Sequence, residues 1–318
     1  FKTHFSFDSC LLPRLLMSRL KEVYELVSKL FDHDTRTESL LKLAQIANEG
    51  KTPELATILC YSSGINAVII EELCIAYNFI EPPTISKINA DRIVSVIRLV
   101  KEIALTDGTA TFFTNLNMHI LLIPFIDVFP GSASIELVRT SALAVFCSLL
   151  QKHGSKSADI VKSLRMCGIL EPILHILMSG EKTGLLMAFK FVELLSGSDS
   201  GLKLLFEGGL AVFQTLKFAV SRLKHRVLSH SPEQLATASE ATRGDMGDIN
   251  GCLTSIVNIY HNIVTSPLIE SLSMRDIIPS EIFMVTAYEY KAIAIIQERK
   301  RKIGEIIQVV RGRGRGEK

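Results

Sequence analysis

The stretch "YNFIEPPTISKINADRIVSVIRLVKEI", residues 77–103, decides the fold class of this chain. Two adjacent prolines, Pro82 and Pro83, interrupt helical patterns, because proline lacks a backbone donor and clashes with the preceding helical turn. Beyond them, apolar residues recur at the spacing of one helix face, with Asn89 as the expected N-cap. These apolar residues are Ile93, Val96, Ile97, Val100 and Ile103. The stretch therefore predicts a helix end, a sharp corner and a second helix.

Helical periodicity continues along the rest of the chain. The segment from Ile135 repeats it through Val138, Ala142, Val145, Phe146 and Leu149, and no stretch shows the alternation that is typical of strands between hairpin turns. Four segments place a small or short polar stretch before an aliphatic helix, and their first aliphatic residues are 55, 49 and 41 residues apart. Armadillo and HEAT repeats run to roughly 40 to 47 residues, so this spacing is that of a helical repeat with extra residues in some copies. They are "SSGINAVIIEEL" from 62, "LNMHILLIPFI" from 116, "RMCGILEPILHIL" from 165 and "FEGGLAVFQTLKF" from 206.

These repeats predict an all-α fold, an armadillo-type right-handed helical-repeat solenoid over residues 1–290. The four segments are expected to be third helices that line the concave face, with a weaker fifth copy at "IPSEIFMVTAYEY" from 278. Because the spacing is uneven, an irregular helical bundle stays open as an alternative. Residues 228–251, rich in small and polar residues, are interpreted as a mobile insertion. Residues 291–318 are interpreted as a basic terminal helix with a disordered Arg/Gly tail.

Composition restricts the class of protein. The 318 residues are 47% hydrophobic with a mean hydropathy of +0.30, and the formal net charge is only +2. That balance argues against a globally basic surface for nucleic acid, and no uninterrupted apolar run approaches the roughly 18 to 20 residues of a membrane span. The six cysteines lie far apart without a CxxC pair. We therefore expect buried thiols in a reducing compartment, with neither a zinc site nor a disulfide framework.

The motifs of catalysis are incomplete in this sequence. "SGEKTG" lacks the first glycine of a phosphate-binding loop, and "GSDSG" has Asp199 where a nucleophile elbow requires serine. Glu71 and Glu72 are adjacent on a helix and point in different directions, which does not suit a paired acid and base. We therefore expect no enzyme, no cofactor and no metal site.

The C-terminal region is locally basic. Arginines on a glycine-rich backbone are able to contact phosphates and stack on bases, so Arg311, Arg313 and Arg315 are candidates for a weak RNA contact. The run "RKRK" at 299–302 is instead interpreted as a solvated helix end, where basic side chains complement the helix dipole.

Several stretches of the sequence resemble a known family, the Required-for-cell-differentiation (Rcd) family. The similarity begins at "RLKEVYELVSKLFDHDTRTESLLKLAQ" and continues through "PELATILCYSSGINAVIIEELCIAY". It is most specific at "IEPPTISKINADRIVSVIRLV", where Pro82-Pro83-Thr84 and then Asp91-Arg92-Ile93 match a family corner. It extends from about residue 18 to 206, with modest identity, as expected for a divergent member.

The resemblance implies a role for the chain. Family members are armadillo-type, non-catalytic adaptor subunits of the CCR-NOT mRNA deadenylase complex. They bind its large scaffold subunit and accept short linear peptides of RNA-binding or repressor proteins in a concave groove, as an amphipathic helix in an apolar groove. The resemblance implies a cytoplasmic location, with the nucleus as a second option, and no membrane. Family members include homodimers and nucleic-acid binders, but this sequence itself shows neither property.

The resemblance also implies site residues. The family's peptide-groove positions fall on Tyr61, Ser63, Ala67, Leu137, Ala144 and Met187. Several depart from the family type, since a His-x-Phe pair becomes Tyr61 and Ser63, and a tyrosine becomes Leu137. The small Ala67 and Ala144 would still leave room for a helix.

The family's tryptophan pocket has no match in this chain. A Tyr-x-Arg element of that pocket aligns with Gly209 and Ala211. This change removes an aromatic wall and a cation, so tryptophan-motif binding is expected to be lost. The alternatives are an RNA-binding or cargo-binding armadillo protein outside the complex. The absence of tryptophan argues against a cargo receptor, because such receptors carry Trp and Asn ladders.

Overall fold

The regular structure of the described residues is entirely α-helical in the computed structural model. The chain divides into two compact units, with the division after Ser148, and the single domain over 1–290 stays a prediction. The described residues are 11–50, 52–81, 84–128, 131–153, 157–228, 240–266, 278 and 293–313. Most of the predicted fifth repeat copy, residues 279–290, lies outside them.

After two long helices, the first unit consists of short, intermediate and long helices in succession, and it ends within the last of them. In chain order these are α1 (Leu11–Lys29), α2 (His33–Glu49), α3 (Leu55–Tyr61), α4 (Ile65–Tyr77), α5 (Lys87–Leu105), α6 (Ala110–Asn115), α7 (Met118–Ile126) and α8 (Ala133–Lys152).

The second unit repeats this order and adds a final long helix. Its helices are α9 (Ser157–Met166), α10 (Leu170–Ser179), α11 (Lys182–Ser196), α12 (Asp199–Glu207), α13 (Gly209–Leu228), α14 (Glu240–Thr265) and α15 (Ile293–Arg313).

The predicted repeat is present as four helix triplets: α3–α5, α6–α8, α9–α11 and α12–α14. In each triplet a residue with positive φ joins the first helix to the second. These residues are Gly64, Asn117, Gly168 and Gly209. Such backbone suits glycine and asparagine better than other residues, which explains the small or polar stretch in each copy. Two of the corners bend the chain by 92° and 96°.

The assignment of the four segments as concave-face helices is wrong. They form α4, α7, α10 and α13, the second helix of each triplet, whereas the third helices are α5, α8, α11 and α14. In the first unit α2, which precedes the first triplet and takes the place of a third helix before it, packs against α5, and in the second unit α11 packs against α14. Third helices thus stack on each other, and a long stretch of α5 from Ile93 to Ala104 is largely buried. The left-handed corner therefore identifies a repeat, but it does not show whether the helix after it is the second or the third helix of that repeat.

Helix α5, which follows the double-proline corner, begins earlier than predicted. The N-cap of α5 is Ser86 rather than Asn89, because the Ser86 hydroxyl accepts a hydrogen bond from the Asn89 amide at 3.2 Å. Serine at this position satisfies one of the free amides of the first turn. Before it, the Thr84 amide donates to the Phe79 carbonyl at 3.0 Å. Pro82 and Pro83 themselves lie outside the described residues.

The segment 228–251 is not a loop throughout. The backbone is helical from Glu240, so its last part belongs to α14, while 229–239 lie outside the described residues. Ile249 is 2% exposed and begins an apolar stripe that continues at Leu253 and Val257. A Cβ at Gly251 would come within 2.7 Å of Leu186, so glycine allows α14 to lie close to α11.

Helix α8 is an exception to the expectation about membrane spans. By length and composition alone it is able to cross a membrane, and the bent pairs α3–α4 and α12–α13 would also qualify if each were one span. More than half of its apolar window is buried within the protein, however. Arg139, at 1% exposure, also lies on this helix and forms an ion pair with Glu136. Packing within the protein therefore accounts for much of its apolar character.

Candidate functional site: a groove on the third helices

An open groove lies along the third helices of the first unit, and we call it the first groove. Helix α2 contributes one row at the i, i+4, i+7 spacing, and α5 contributes another at i, i+3, i+4, i+7. A single residue of α8 completes the lining. The lining residues are Leu41, Gln45 and Asn48 of α2, Asp91, Val94, Ser95 and Arg98 of α5, and Leu137 of α8.

The first groove has an apolar centre with charged groups at both ends. Val94 and Ser95 are buried, whereas Leu41 and Leu137 are 41% and 44% exposed. The Ser95 hydroxyl donates to the Asp91 carbonyl at 2.8 Å, so it is already satisfied within α5. Exposed leucines beside a buried floor provide apolar area that a partner would cover, which is the usual character of a peptide groove.

A buried ionic cluster holds the helices of the first groove in place. Glu72 of α4, only 4% exposed, accepts two hydrogen bonds at 2.7 Å from the Arg92 guanidinium of α5. The Arg36 guanidinium of α2, 3% exposed, donates to Glu72 at 3.2 Å and to Glu71 at 2.9 Å. Both glutamates therefore have structural contacts. Arg92 belongs to the corner that carries the family resemblance, and this contact is its physical role.

The structure brings together only part of the predicted peptide site. Leu137 lines the first groove, and Ala144, two turns further along α8, is half-buried on the same helix face. Tyr61, Ser63 and Ala67 are exposed around the corner between α3 and α4, and none of them is among the lining residues of the first groove. These three residues thus lie outside the lining of the first groove, which includes the leucine.

The remaining predicted positions lie in the second unit. Met187 is half-buried on α11. Gly209 has a φ of 64°, and Ala211 is exposed on the first turn of α13. Neither residue can supply the aromatic wall and cation of a tryptophan pocket, so the loss of tryptophan-motif binding stays a prediction.

Seven of the eight lining residues of the first groove were not predicted. The sequence did contain a detectable signal for this groove, because polar residues recur on one face of α2 and of α5. The pattern does not show which neighbouring helix shares that face, however.

A second, more polar groove lies along the third helices of the second unit and α15. Its lining residues are Leu150, Gln151, Glu193, Leu194, Gly197, Ser198, Asn258, Asn262 and Lys302. The Glu193 carboxylate accepts hydrogen bonds from Ser255 at 2.7 Å, Asn258 at 2.6 Å and Lys190 at 3.1 Å. Burial by itself raises the pKa of Glu193, but these hydrogen bonds and the Lys190 charge outweigh it and lower the pKa below its ordinary value. Glu193 is therefore a carboxylate that fixes α14 against α11.

This carboxylate predicts a stability change at acidic pH. The folded protein binds the Glu193 proton more weakly than the unfolded chain does. Its stabilisation is therefore complete above the ordinary glutamate pKa of about 4.3, and it is lost as pH falls through the lowered value. We expect Glu193→Gln to reduce the free energy of unfolding by about 1 to 3 kcal/mol at pH 7.

Denaturant unfolding of both proteins from pH 7 to pH 3 measures this effect. The difference between wild type and Glu193→Gln should shrink below about pH 4. A difference that stays constant over the whole range would show that the charge of Glu193 does not contribute.

The basic run at 299–302 is not a solvated helix end. Arg299 is 5% exposed, and its guanidinium donates to the Asn250 carbonyl at 3.0 Å and to the Thr254 hydroxyl at 2.6 Å. Arg301 forms ion pairs with Glu298 and Glu305, and Lys302 donates to Asn258 at 2.8 Å. Arg299, Arg301 and Lys302 therefore contact other residues of the second unit.

The Arg/Gly stretch is helical for longer than predicted. Arg311 and Arg313 lie on the backbone of α15, which ends at Arg313, whereas Arg315 lies outside the described residues. Upstream, Ile303 and Ile306 pack on α14 and stabilise the whole helix. An RNA contact by these arginines stays a prediction.

Among the described residues, no group of three or more His, Cys, Asp or Glu side chains is placed to hold a metal ion. The described carboxylates at the two grooves either form structural contacts, as Glu193 does, or face the open first groove, as Asp91 does. The arrangement suits binding of a partner.

Comparison with known proteins identifies relatives over most of the chain. A family model described as "Cell differentiation family, Rcd1-like" matches residues 26–244. The chain is 25% identical over 215 residues to Cell differentiation protein rcd1 of Schizosaccharomyces pombe, covering 65% of this chain and 74% of that protein. It is 23% identical over 216 residues to Protein CAF40 of Saccharomyces cerevisiae, covering 67% of this chain and 56% of that protein.

Solved structures with a similar fold are armadillo repeat proteins. One is a designed armadillo repeat protein in complex with the peptide (KR)4, with a TM-score of 0.58 and 14% identity over 91% of this chain and 99% of that chain. A second designed armadillo repeat protein has a TM-score of 0.55 and 14% identity, covering 90% of this chain and 98% of that chain. At such identity the likeness shows the fold alone, and that fold is the predicted all-α armadillo type.

Proposed function

This chain belongs to the Rcd1-like cell differentiation family, and on that premise we propose that it is a non-catalytic adaptor subunit of a CCR-NOT mRNA deadenylase complex. In this role it binds the large scaffold subunit and presents short peptides of mRNA-regulating proteins to the deadenylases. The family match over residues 26–244 supports the complex. Its site of action is proposed to be the cytoplasm, with the nucleus second, which imaging of the tagged chain would test.

The observation that supports the proposed peptide binding is the first groove. Leu41 and Leu137 are exposed on separate helices beside the buried residues of the groove floor. Large apolar side chains that are exposed on one shared surface often mark an interaction site. The groove lies on third helices, so packing between successive repeats fixes the positions of the helices that form its walls. An amphipathic helix would cover the leucines and place its polar face in solvent.

Assembly into the complex is tested by affinity purification of the tagged chain from its native cell. We expect the scaffold subunit and the deadenylases to be recovered together with the chain. Their absence, with the chain expressed at its natural level, would contradict the proposed membership of the complex.

Peptide binding is tested separately, by selection from a display library of peptides about 18 residues long, roughly 27 Å as a helix. Wild-type protein should enrich amphipathic sequences, and Leu137→Glu should lose them, because a carboxylate replaces exposed apolar area at the groove wall. Ala67→Tyr is the matched comparison on the surface between α3 and α4.

The two variants distinguish the two surfaces that the predicted site residues occupy. Loss of enrichment in Ala67→Tyr alone would assign peptide capture to the corner that carries Tyr61 and Ser63. Enrichment that survives in both variants would contradict peptide binding at either surface. Unchanged melting temperatures establish that both variants are folded, as expected for two exposed positions.

A further inference from the structure

Two ionic side chains in the first groove lack an ion-pair partner among the described residues. Asp91 and Arg98 both line the groove, and both lie on α5. Asp91 is exposed and Arg98 is half-buried. A guanidinium that is partly removed from water usually has an acceptor. Nearby basic and acidic residues such as Arg92 and Glu72 are already bound to each other. The groove therefore presents one free charge of each sign.

The separation of these charges is set by the helix. Asp91 and Arg98 are seven residues apart, which corresponds to about 10 Å along the axis and to nearly the same face. In the structure no ion pair joins these two side chains. Val94 and Ser95 lie between them on α5, and Leu41, Gln45, Asn48 and Leu137 also line the groove. The order along α5 is thus an acidic residue, a buried centre whose one hydroxyl is bonded within the helix, and a basic residue.

A ligand that satisfies this order must carry a basic group, an apolar group and an acidic group in a row of about 10 Å. An α-helix does so with ionic residues at i and i+7 and apolar residues at i+3 and i+4, since all four share one face. An extended peptide covers the same distance in about three residues, but residues i and i+3 of a strand point to opposite faces. The spacing therefore favours a helical ligand.

We infer that the first groove selects helical peptides with a basic residue and an acidic residue at i and i+7 around an apolar centre, and that Asp91 and Arg98 determine this preference. The inference rests on the proposed peptide-binding function and specifies its ligand class. Asp91 contacts the basic side chain and Arg98 the acidic one. Because the two charges cancel, the groove does not favour the uniformly negative backbone of a nucleic acid.

Three alanine-based helical peptides about 18 residues long test the inference. All carry leucine at i+3 and i+4, and they differ only at i and i+7: lysine with glutamate, two lysines, or two glutamates. Fluorescence anisotropy at low salt should show that wild type binds the mixed peptide roughly fivefold more tightly than either other peptide. The preference should decrease as salt rises.

Charge reversal should change the preference in a defined direction. Asp91→Arg gives the groove two positive charges, so the peptide with two glutamates should become the tightest ligand. Arg98→Glu gives two negative charges, so the peptide with two lysines should become the tightest. Lys87→Glu is the matched control, because Lys87 is exposed on the same helix and does not line the groove. If the carboxylate introduced by Arg98→Glu lowers the melting temperature because it is half-buried, Arg98→Gln is measured in its place.

The outcomes separate this inference from the proposed function. If all three peptides bind equally and Leu137→Glu still abolishes binding, the groove binds peptides but the charge preference is wrong. If the display library yields ligands without the predicted charge pattern, the same conclusion holds. If Lys87→Glu changes the preference as much as the groove variants do, general surface charge explains the effect and the assignment to Asp91 and Arg98 fails.

Discussion

Replacing Glu72 by alanine is expected to reduce the free energy of unfolding of the first unit by about 3 to 5 kcal/mol. The Glu72 side chain is only 2% exposed and it contacts both Arg36 and Arg92. Its removal takes both acceptor oxygens from the Arg92 guanidinium and leaves Arg36, whose side chain is 4% exposed, with only Glu71 and the Leu30 carbonyl. A buried charge that loses acceptors costs more than the ion pair itself contributes, because water does not replace the lost contacts.

The adjacent residue provides a matched control. Glu71 also accepts from Arg36, at 2.9 Å, but its side chain is 48% exposed. Solvent screens such a contact, so Glu71→Ala should reduce stability by less than about 1 kcal/mol. Chemical denaturation with the fluorescence of the native tyrosines or with circular dichroism measures both variants. Equal effects of the two substitutions would show that the buried cluster does not hold α2, α4 and α5 together.

Arg299→Ala is expected to destabilise the second unit by about 2 to 4 kcal/mol. The substitution removes one donor from the carbonyl and the amide oxygen of Asn250 and from the hydroxyl of Thr254, while the Asn250 carbonyl keeps the Thr254 hydroxyl as a donor. Burial lowers the pKa of Arg299, but arginine stays protonated, so its charge depends on these acceptors. Loss of the contact should loosen α15 from α14.

Arg301→Ala is the control for this prediction. Arg301 lies on the same helix two residues away, and its side chain is 53% exposed while it pairs with Glu298 and Glu305. Its loss should leave the stability close to that of the wild type, because solvent screens such exposed ion pairs. Hydrogen exchange of the α14 and α15 amides distinguishes the two variants, since only Arg299→Ala should increase exchange there. Protection that stays unchanged in Arg299→Ala would mean that the apolar contacts of Ile303 and Ile306 suffice.

The sequence by itself determined the helices, the repeat and the family. Helix periodicity depends only on the order of apolar residues, so α5 and α8 were predicted from their own residues. The repeat was visible because each copy needs a left-handed corner, and Gly64 and Gly168 satisfy that local requirement. The family resemblance rests on the corner that carries Arg92, whose contact with Glu72 is a short-range property of two consecutive helices.

Only the tertiary structure decided which helices form the groove and which charges are free. A pattern of 3.6 residues shows that a helix has a polar face, but the helix on the other side of that face is distant in sequence. Leu41 and Leu137 became neighbours of Asp91 and Arg98 only through stacking of third helices. In the same way, the basic run at 299–302 looked solvated until α15 placed Arg299 against Asn250. Both are non-local contacts, and local residue order carries little information about them.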